Sequence, residues 1–579
     1  MKKEELKKLI DISAGRELAD IVIENCKIID VYSGKIIEGN IAISDKWIAG
    51  IGNYKGKITL DAEGKYAAPG FIDSHIHIES SYLSPEELGK LIVPHGGTCI
   101  VADPHEIVNV CGIEGLNYMI EAAKNTALDI KYMIPSCVPC TPFENSGAII
   151  DASKMREPVT RKEVLGLGEF MNFPGVVAAD NEILDKVMVA KESGKFIDGH
   201  SPGIANHLLN AYTAIGIRTD HECSTVEEMN SRISRGVYVL LREGSACKDL
   251  RNLIKGVTKE NSRRCLLCSD DRQPRTILEL GHIDNHLQIC VEEGLDPITA
   301  IQMATINAAE CYGMRDRGAI APGLRADIVL LEDLEKFKVK NVFIEGKEVA
   351  RDGEYLLEIK KHSIESVRSS MQVKDFNIDK LKMKLKSNKV YTIDIQPGGV
   401  LTKKGIAEVK LDKDGDFIFE SDKDIVKIAV IERHKNTGNV ATALLRGYGI
   451  KRGALALSIA HDSHNIIAVG ISNEEISTAV NKLIEQGGGI VLVENGEVLE
   501  SMPMPIAGIM SDKDGVWVDN KLETLHKIAT EKLSISTEIE PIMTLCFMSL
   551  IVIPEIKISD RGLFDVKKFE FIKLEVEGV

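Results

Sequence analysis

Between residue 70 and about residue 275 the chain repeats one pattern eight times. In each repeat a short apolar run precedes an amphipathic stretch, such as SPEELGKLIV, GIEGLNYMIEAAKN, NEILDKVMVAKESG or VEEMNSRISRG. The apolar runs are FIDSHIHIE, TCIVADPHE, IKYMIPSC, VLGLGEF, KFIDGHSPG, GIRTDHE, GVYVLLREG and RRCLLCSDD. Near-continuous apolar strands that alternate with helices are typical of a parallel sheet covered on both faces. Eight repeats predict an α/β fold with a TIM-like (β/α)8 barrel.

Side chains that can bind a metal or transfer a proton lie where these apolar runs end. They are His75, His77, Glu106, Ser136, Glu169, His200, His221, Glu243 and Asp270. In a barrel of parallel strands the active site forms at the C-terminal ends of the strands. Packing alone does not explain a histidine or an acid at nearly every strand exit, so the pattern predicts a functional site.

The HxH pair in FIDSHIHIE indicates a metal. Side chains at positions i and i+2 of a strand point the same way, so His75 and His77 would enter the barrel together. Two imidazoles are costly to bury without a partner, and a divalent metal is a natural one. A pair of hydrogen-bonded core histidines is the alternative, but His200 and His221 on later strand ends argue against it.

The ligand set is larger than one tetrahedral zinc requires. Four imidazoles and two carboxylates, from Glu169 and Asp270, predict two metal ions with a carboxylate such as Glu169 between them. Mixed nitrogen and oxygen ligands suit Mn, Fe or Zn. A water between two cations would be a nucleophile at neutral pH, and Asp270 could accept its proton and pass it to a leaving group. The chemistry is that of a hydrolase.

Several motifs resemble a known family. PGFIDSHIHIE, GHSPG, TDHE and the aspartate after the eighth run are similar to the amidohydrolase superfamily. GLGEFMNFPGV, CSDDRQP, IAHDSHNIIAVG and IPEIKISDRGLFDV resemble the bacterial adenine deaminases, over nearly the whole chain. The resemblance implies a metal-dependent hydrolase that acts on the C–N bond of a cyclic amidine, converting adenine to hypoxanthine and ammonia in purine salvage. Its cofactors would be two divalent ions, Mn or Fe, with Zn also open.

By this resemblance, His75 and His77 hold one metal and His200 and His221 the other. Glu169 would bridge them, because VLGLGEF lacks the lysine that other superfamily members carboxylate for this purpose. Asp270 would lie beside the metals, with Asp271 as the alternative.

Outside this set, Glu106 would protonate the base or recognise it, and His105 would be a further ligand. A helix-start acid and a loop histidine remain the alternatives for these two residues.

The phrase ADIV begins at Ala19 and again at Ala326, each time ahead of alternating apolar residues. We expect residues 1–67 and 315–360 to form one small β-sandwich domain around a catalytic barrel at 68–314. A linker at 361–384 would lead to a C-terminal α/β domain at 385–579. Within that domain, His461, Asp462 and His464 form either a polar turn or a loop that caps the barrel mouth and contacts the base or an accessory metal.

Composition limits the partners. The formal net charge of −16 argues against nucleic acid, because phosphate binding needs a basic face; a neutral nucleobase is not excluded.

The absence of a long apolar run, of the roughly 18 residues that a span needs, predicts no membrane insertion. The opening MKKEELKKLIDISAG predicts an amphipathic helix instead of a signal peptide. Twelve cysteines without an export signal predict a cytoplasmic protein with free thiols.

Two other functions compete with deamination of adenine. The first is an amidohydrolase that acts on a cyclic amide or on another amino-heterocycle. The second is a non-catalytic purine- or metal-binding protein, which the full ligand set and Asp270 disfavour. We also expect a homo-oligomer, since barrels of this kind often assemble.

Overall fold

The computed structural model describes residues 1–368 and 371–576. These residues form two compact units. The first unit comprises Met1–Pro104, Met119–Ser136 and Asp151–His362, and the second comprises His105–Tyr118, Cys137–Ile150 and the chain from Ser363 onward.

The centre of the first unit is an eight-stranded parallel barrel. Its strands, numbered here β1 to β8, are Phe71–Ile76, Gly97–Ala102, Asp129–Ile134, Val164–Phe170, Phe196–Gly199, Thr219–Asp220, Tyr238–Arg242 and Cys265–Cys268. Each strand pairs in parallel with the next. The ends of β1 and β8 meet through a parallel bridge between Ile76 and Asp270, which nearly closes the ring. The barrel predicted from the eight apolar runs is confirmed.

Helices follow the barrel strands as the amphipathic stretches predicted. They are Pro85–Ile92, His105–Cys111, Ile113–Ala123, Ala152–Met155, Phe173–Val177, Asn181–Glu192, Asn206–Ala214, Val226–Ile233, Leu250–Leu253, Pro274–Leu280, Ile283–Glu292, Pro297–Met303 and Ile306–Cys311. Inside the first unit, side chains of β1, β2, β7 and β8 pack with Ala308 and Tyr312 of the last of these helices and its C-cap.

Strands from both flanks of the barrel share one nine-stranded sheet. Its strands are Ala19–Asp30, Lys35–Ser44, Trp47–Ile51, Gly56–Asp61, Tyr66–Pro69, Ile328–Leu331, Val339–Ile344, Lys347–Arg351 and Glu354–Tyr355. The two flanks join where Ile328–Leu331 pairs antiparallel with Tyr66–Pro69. Burial of isoleucines on one face, among them Ile23, Ile41 and Ile328, holds the sheet together. The domain boundaries expected from the sequence remain a prediction.

The N-terminal segment forms a helix, Lys3–Ser13, that buries only Leu9 and Ile12. This is the amphipathic helix expected from the opening residues. Among the helices that residues 1–368 and 371–576 form, none combines the length and the apolar composition needed to cross a lipid bilayer.

Within its described residues, the second unit contains an eight-stranded sheet, two small sheets and three further α-helices. In spatial order the large sheet comprises Thr402–Glu408, Lys389–Ile395, Val440–Arg446, Ile425–Ile431, Ile466–Gly470, Ala454–Leu457, Gly489–Glu494 and Glu497–Pro503. The smaller sheets are Lys410–Leu411 with Phe417–Ile418, and Ile556–Ser559 with Gly562–Asp565 and Glu570–Phe571. The helices are Asn473–Glu485, Gly515–Glu531 and Pro541–Cys546.

The helix Asn473–Glu485 shows why this unit is stable. Its buried residues, Ile476, Ala479, Val480 and Leu483, recur at the spacing of one helical face. That face packs on the sheet, in a core that includes Ala456 and Val491. The Ser472 hydroxyl caps the N-terminus of the helix, accepting from the Glu475 amide.

Candidate active site

The two histidines of β1 are fixed by acceptors at their Nδ1 atoms. His75 Nδ1 lies 3.1 Å from Asp198 Oδ2, and His77 Nδ1 lies 2.9 Å from the backbone oxygen of Asp103. A carboxylate and a carbonyl oxygen can only accept, so both Nδ1 atoms carry the proton. In the neutral imidazole each Nε2 atom then presents a lone pair.

These lone pairs face other electron-rich atoms. The Nε2 atoms of His75 and His77 are 3.2 Å apart. His77 Nε2 also lies 3.1 Å from Asp270 Oδ1 and 3.4 Å from Glu169 Oε1. All four residues are at most 6% exposed. Buried lone pairs and carboxylates at this spacing repel one another unless a cation lies among them, so the residues fit a divalent metal.

Glu169 stands at the end of β4 with one oxygen toward each half of the site. Its Oε1 faces His77, and its Oε2 lies 2.8 Å from His200 Nδ1 and 3.3 Å from His221 Nε2. Its amide donates to Asp103 Oδ2 at 2.8 Å. A Cβ on the neighbouring Gly168 would come within 2.1 Å of that oxygen, so glycine is required there. The two-sided carboxylate has the arrangement of a bridging ligand.

His200 and His221, from the ends of β5 and β6, converge on Glu169 Oε2 with a third group. Glu222 Oε1 is 3.4 Å from His221 Nε2 and 3.7 Å from His200 Nδ1. The His221 ring stacks on the His75 ring with centroids 4.0 Å apart, which joins the two halves of the site. Burial disfavours a charged His221, but the carboxylates of Glu169 and Glu222 outweigh it and raise the pKa of this imidazole. The pocket is therefore strongly favourable for positive charge.

Asp270, after β8, is held from both sides. Its Oδ1 faces His77, while its Oδ2 accepts from Arg242 Nη1 at 2.9 Å. Burial opposes ionisation, yet His77 and Arg242 hold the pKa of this carboxyl well below its usual range. Asp271 points elsewhere, because its carboxylate accepts from the Ser80 hydroxyl. The geometry thus favours Asp270 over Asp271 as the acid beside the histidines.

The second unit holds another cluster of predicted residues. Glu106 Oε1 lies 2.6 Å from His461 Nδ1, and Glu106 Oε2 contacts His464 Nε2. His105 Nε2 is 3.5 Å from Glu106 Oε1 and 3.9 Å from Asp462 Oδ1. All five side chains are buried or nearly so. The loop with two histidines is therefore more than a polar turn, since it encloses a carboxylate from a distant part of the sequence.

Three residues near the first cluster escaped prediction from the sequence. Asp198 lies two positions before His200 and Glu222 directly follows His221, so both fall inside motifs already noted. Arg242 ends β7 and joins three carboxylates, those of Glu222, Asp249 and Asp270. The sequence signal for Arg242 was a single basic residue at the end of an apolar strand.

Two family models match the chain. The amidohydrolase family matches residues 66–349, and the adenine deaminase C-terminal domain matches residues 399–570. The first range contains β1 to β8 with all six predicted metal ligands, and the second contains the His461–His464 loop.

Relatives resemble the chain from end to end. "Adenine deaminase 2" of Desulfotalea psychrophila is 62% identical over 575 residues, which is 99% of this chain and 100% of the relative. "Adenine deaminase" of Ligilactobacillus salivarius is 52% identical over 578 residues, covering 100% of both chains. "Adenine deaminase" of Nitratidesulfovibrio vulgaris is 48% identical over 571 residues, 99% of each. The chain therefore belongs to the adenine deaminase family of the amidohydrolases.

Proposed function

We propose that this chain hydrolyses adenine to hypoxanthine and ammonia, as a step of purine salvage. The observation that carries the proposal is the buried pair of facing Nε2 atoms with carboxylates on both sides. The names of the relatives supply the substrate. A cytoplasmic location, a homo-oligomeric state and the absence of nucleic-acid partners remain predictions from the sequence.

The residues support two cation positions. One set comprises His75, His77 and Asp270, and the other comprises His200, His221 and Glu222. Glu169 faces both sets with different oxygens. We expect Mn2+ or Fe2+, with Zn2+ as a third possibility, because imidazole and carboxylate ligands suit all three. Bound divalent cations would lower the pKa of water and so supply a hydroxide nucleophile at neutral pH.

In the proposed reaction Asp270 is the proton acceptor. Its Oδ1 lies on the side of the histidines, and Arg242 occupies its Oδ2. Since a guanidinium does not give up its proton near neutral pH, Oδ1 is the oxygen that accepts a proton from the attacking water. Asp270 then returns this proton as the C6 amine departs.

Glu106 is proposed as a second proton-transfer group, for a ring nitrogen of the purine. Burial opposes its ionisation, but His461 and His464 hold the pKa of this carboxyl well below its usual range. The ionised carboxylate can therefore accept a proton and pass it on. His105 remains a proposed further ligand or contact.

The test is a metal-reconstituted assay with adenine. The purified chain is stripped with a chelator, reloaded with Mn2+, and assayed for ammonia and hypoxanthine. We expect activity to vanish on stripping and to return on reloading, while Asp270→Asn keeps its metal and loses turnover by orders of magnitude. Adenine left unchanged by the loaded protein would contradict the proposal.

A panel of cyclic amides and amino-heterocycles, scored for ring opening against ammonia release, identifies an alternative amidohydrolase activity. Tight adenine binding without turnover would instead indicate a non-catalytic protein.

A further inference from the structure

The cluster of Glu106, His461 and His464 has the residue types of a metal site but not its spacing. Two ligands at about 2.1 Å from one ion, separated by 90° or more, are about 3 Å or more apart. In the first cluster the paired ligand atoms are 3.1 to 3.4 Å apart at His77 and at His221, and 2.8 Å apart between His200 Nδ1 and Glu169 Oε2. Glu106 Oε1 and His461 Nδ1 are 2.6 Å apart, and Glu106 Oε2 contacts His464 Nε2 directly. The His461 contact is a hydrogen bond, since 2.6 Å is below the separation expected for two ligands of one ion.

Each carboxylate oxygen of Glu106 therefore accepts from its own imidazole. His461 donates through Nδ1 to Oε1, and His464 donates through Nε2 to Oε2. Two bonds of this kind fix the rotation of the carboxylate plane, which a single bond would leave free. They are charge-assisted, so each is stronger than a bond between neutral groups.

The two imidazoles are themselves held rigidly. The His461 ring stacks on Phe547 with centroids 4.8 Å apart, and its amide donates to Cys546 O at 3.1 Å. The His464 amide donates to Ala460 O at 2.7 Å, and its carbonyl accepts from Arg433 Nε. Donors that are fixed before the carboxylate binds them lose little conformational entropy, which favours a positioning role.

We propose that His461 and His464 are positioning residues that hold Glu106 in one orientation for proton transfer. The inference deepens the proposed function and rests on it. It assigns a role to the C-terminal domain, which supplies both imidazoles to a carboxylate more than 350 residues earlier in the chain.

The test compares two kinds of substitution at each histidine. His461→Asn keeps an amide N–H near the Nδ1 position, and His464→Gln keeps one near the Nε2 position. His461→Ala and His464→Ala remove the donors. We expect the alanine variants to lower kcat for adenine by about 10- to 100-fold, the loss of one hydrogen bond to a charged group. We expect the amide variants to stay within about 3-fold of the wild type.

Further readouts separate positioning from structural or metal-binding roles. KM for adenine and the metal content per chain should stay the same in all four variants. His526→Ala is the matched control, because it removes a partly exposed histidine of the same unit whose carboxylate partner is Glu540. Circular dichroism and the melting temperature report whether the alanine variants fold, and the amide variants test the inference if they do not.

Coupling to Glu106 completes the experiment. In a Glu106→Gln background, His464→Ala should cause no further loss of kcat, since both changes act on one group. Additive losses, alanine variants with wild-type kcat, or amide variants as poor as alanine would overturn the inference. Loss of a metal equivalent in His461→Ala would overturn it in favour of a cation site. If kcat falls in Glu106→Gln but not in the histidine variants, only the positioning role is refuted. If kcat is unchanged in Glu106→Gln, the proton-transfer role of Glu106 is refuted as well.

Discussion

Asp198→Asn should impair metal binding although Asp198 is not itself one of the proposed metal ligands. Asp198 Oδ1 accepts hydrogen bonds from the Gly199 amide at 2.9 Å and from the Thr219 hydroxyl. Its Oδ2 accepts one from His75 Nδ1 at 3.1 Å. An asparagine would keep its oxygen where the two donors are. Its NH2 group would then face His75 Nδ1.

The consequence is a change of tautomer. An NH2 group donates, so His75 Nδ1 would have to accept and its proton would move to Nε2. Nε2 is the atom that faces His77, and a protonated Nε2 cannot bind a metal. Loss of an outer-shell carboxylate of this kind lowers metal affinity by about 10- to 100-fold, which corresponds to about 1.4 to 2.7 kcal/mol.

The assay is competition for Mn2+ between the protein and a chromophoric chelator, followed by adenine turnover at saturating Mn2+. We expect weaker Mn2+ binding, and partial recovery of turnover when the metal is in excess. Asp284→Asn is the matched control, because Asp284 also pairs with a histidine, His95 Nδ1 at 2.8 Å, outside the cluster. The reasoning is refuted if Asp198→Asn binds Mn2+ as tightly as the wild type, or if the control weakens binding equally.

Three other substitutions give distinct outcomes. Glu169→Gln should lower metal occupancy, measured by elemental analysis, because a neutral amide is a poor bridge; full occupancy would contradict bridging. Arg242→Lys should lower kcat by about tenfold or more at unchanged metal content, since an ammonium cannot replace a forked guanidinium among three carboxylates; normal kcat would argue against a role in holding Asp270. Lys557→Met should raise the melting temperature at pH 7. Burial lowers the pKa of Lys557 to about 7, from 10.5 in the unfolded chain. Between these two pH values Lys557 is protonated in the unfolded chain but neutral in the folded one. Wild-type stability therefore rises with pH across that range. The gain, about 3 to 5 kcal/mol at pH 7, should therefore shrink by pH 9.5; a constant gain would contradict the cause.

The barrel and most of the histidines and acids that cluster in it could be predicted because both depend on local pattern. Apolar runs of strand length specify β1 to β8, and histidines at strand ends are conspicuous among apolar residues. The i, i+2 spacing of His75 and His77 even indicates which way they point. The residues that hold these histidines and acids in place have no such sequence pattern. Asp198 and Arg242 act through partners on other strands, and only the register of the barrel brings those partners within reach.

Glu106 illustrates a harder limit. Its two imidazole partners lie 355 and 358 residues away in the sequence. The segments 105–118 and 137–150 likewise belong to the compact unit formed mainly by the C-terminal part of the chain. Contacts of this range follow from tertiary packing, and no local periodicity encodes them. The histidine loop could be noted as unusual, but its acceptor could not be named.

The seam of the barrel is closed by the same residues that form the site. The Asp270 amide donates to the His75 carbonyl at 2.9 Å, and the His77 amide donates to the Asp270 carbonyl at 3.2 Å. Any fluctuation that separates the first strand from the last must also separate these three residues, so the site and the ring would be lost in one event. Deuterium uptake at the amides of His77 and Asp270 should consequently slow when cations are added, while amides elsewhere in the ring change less.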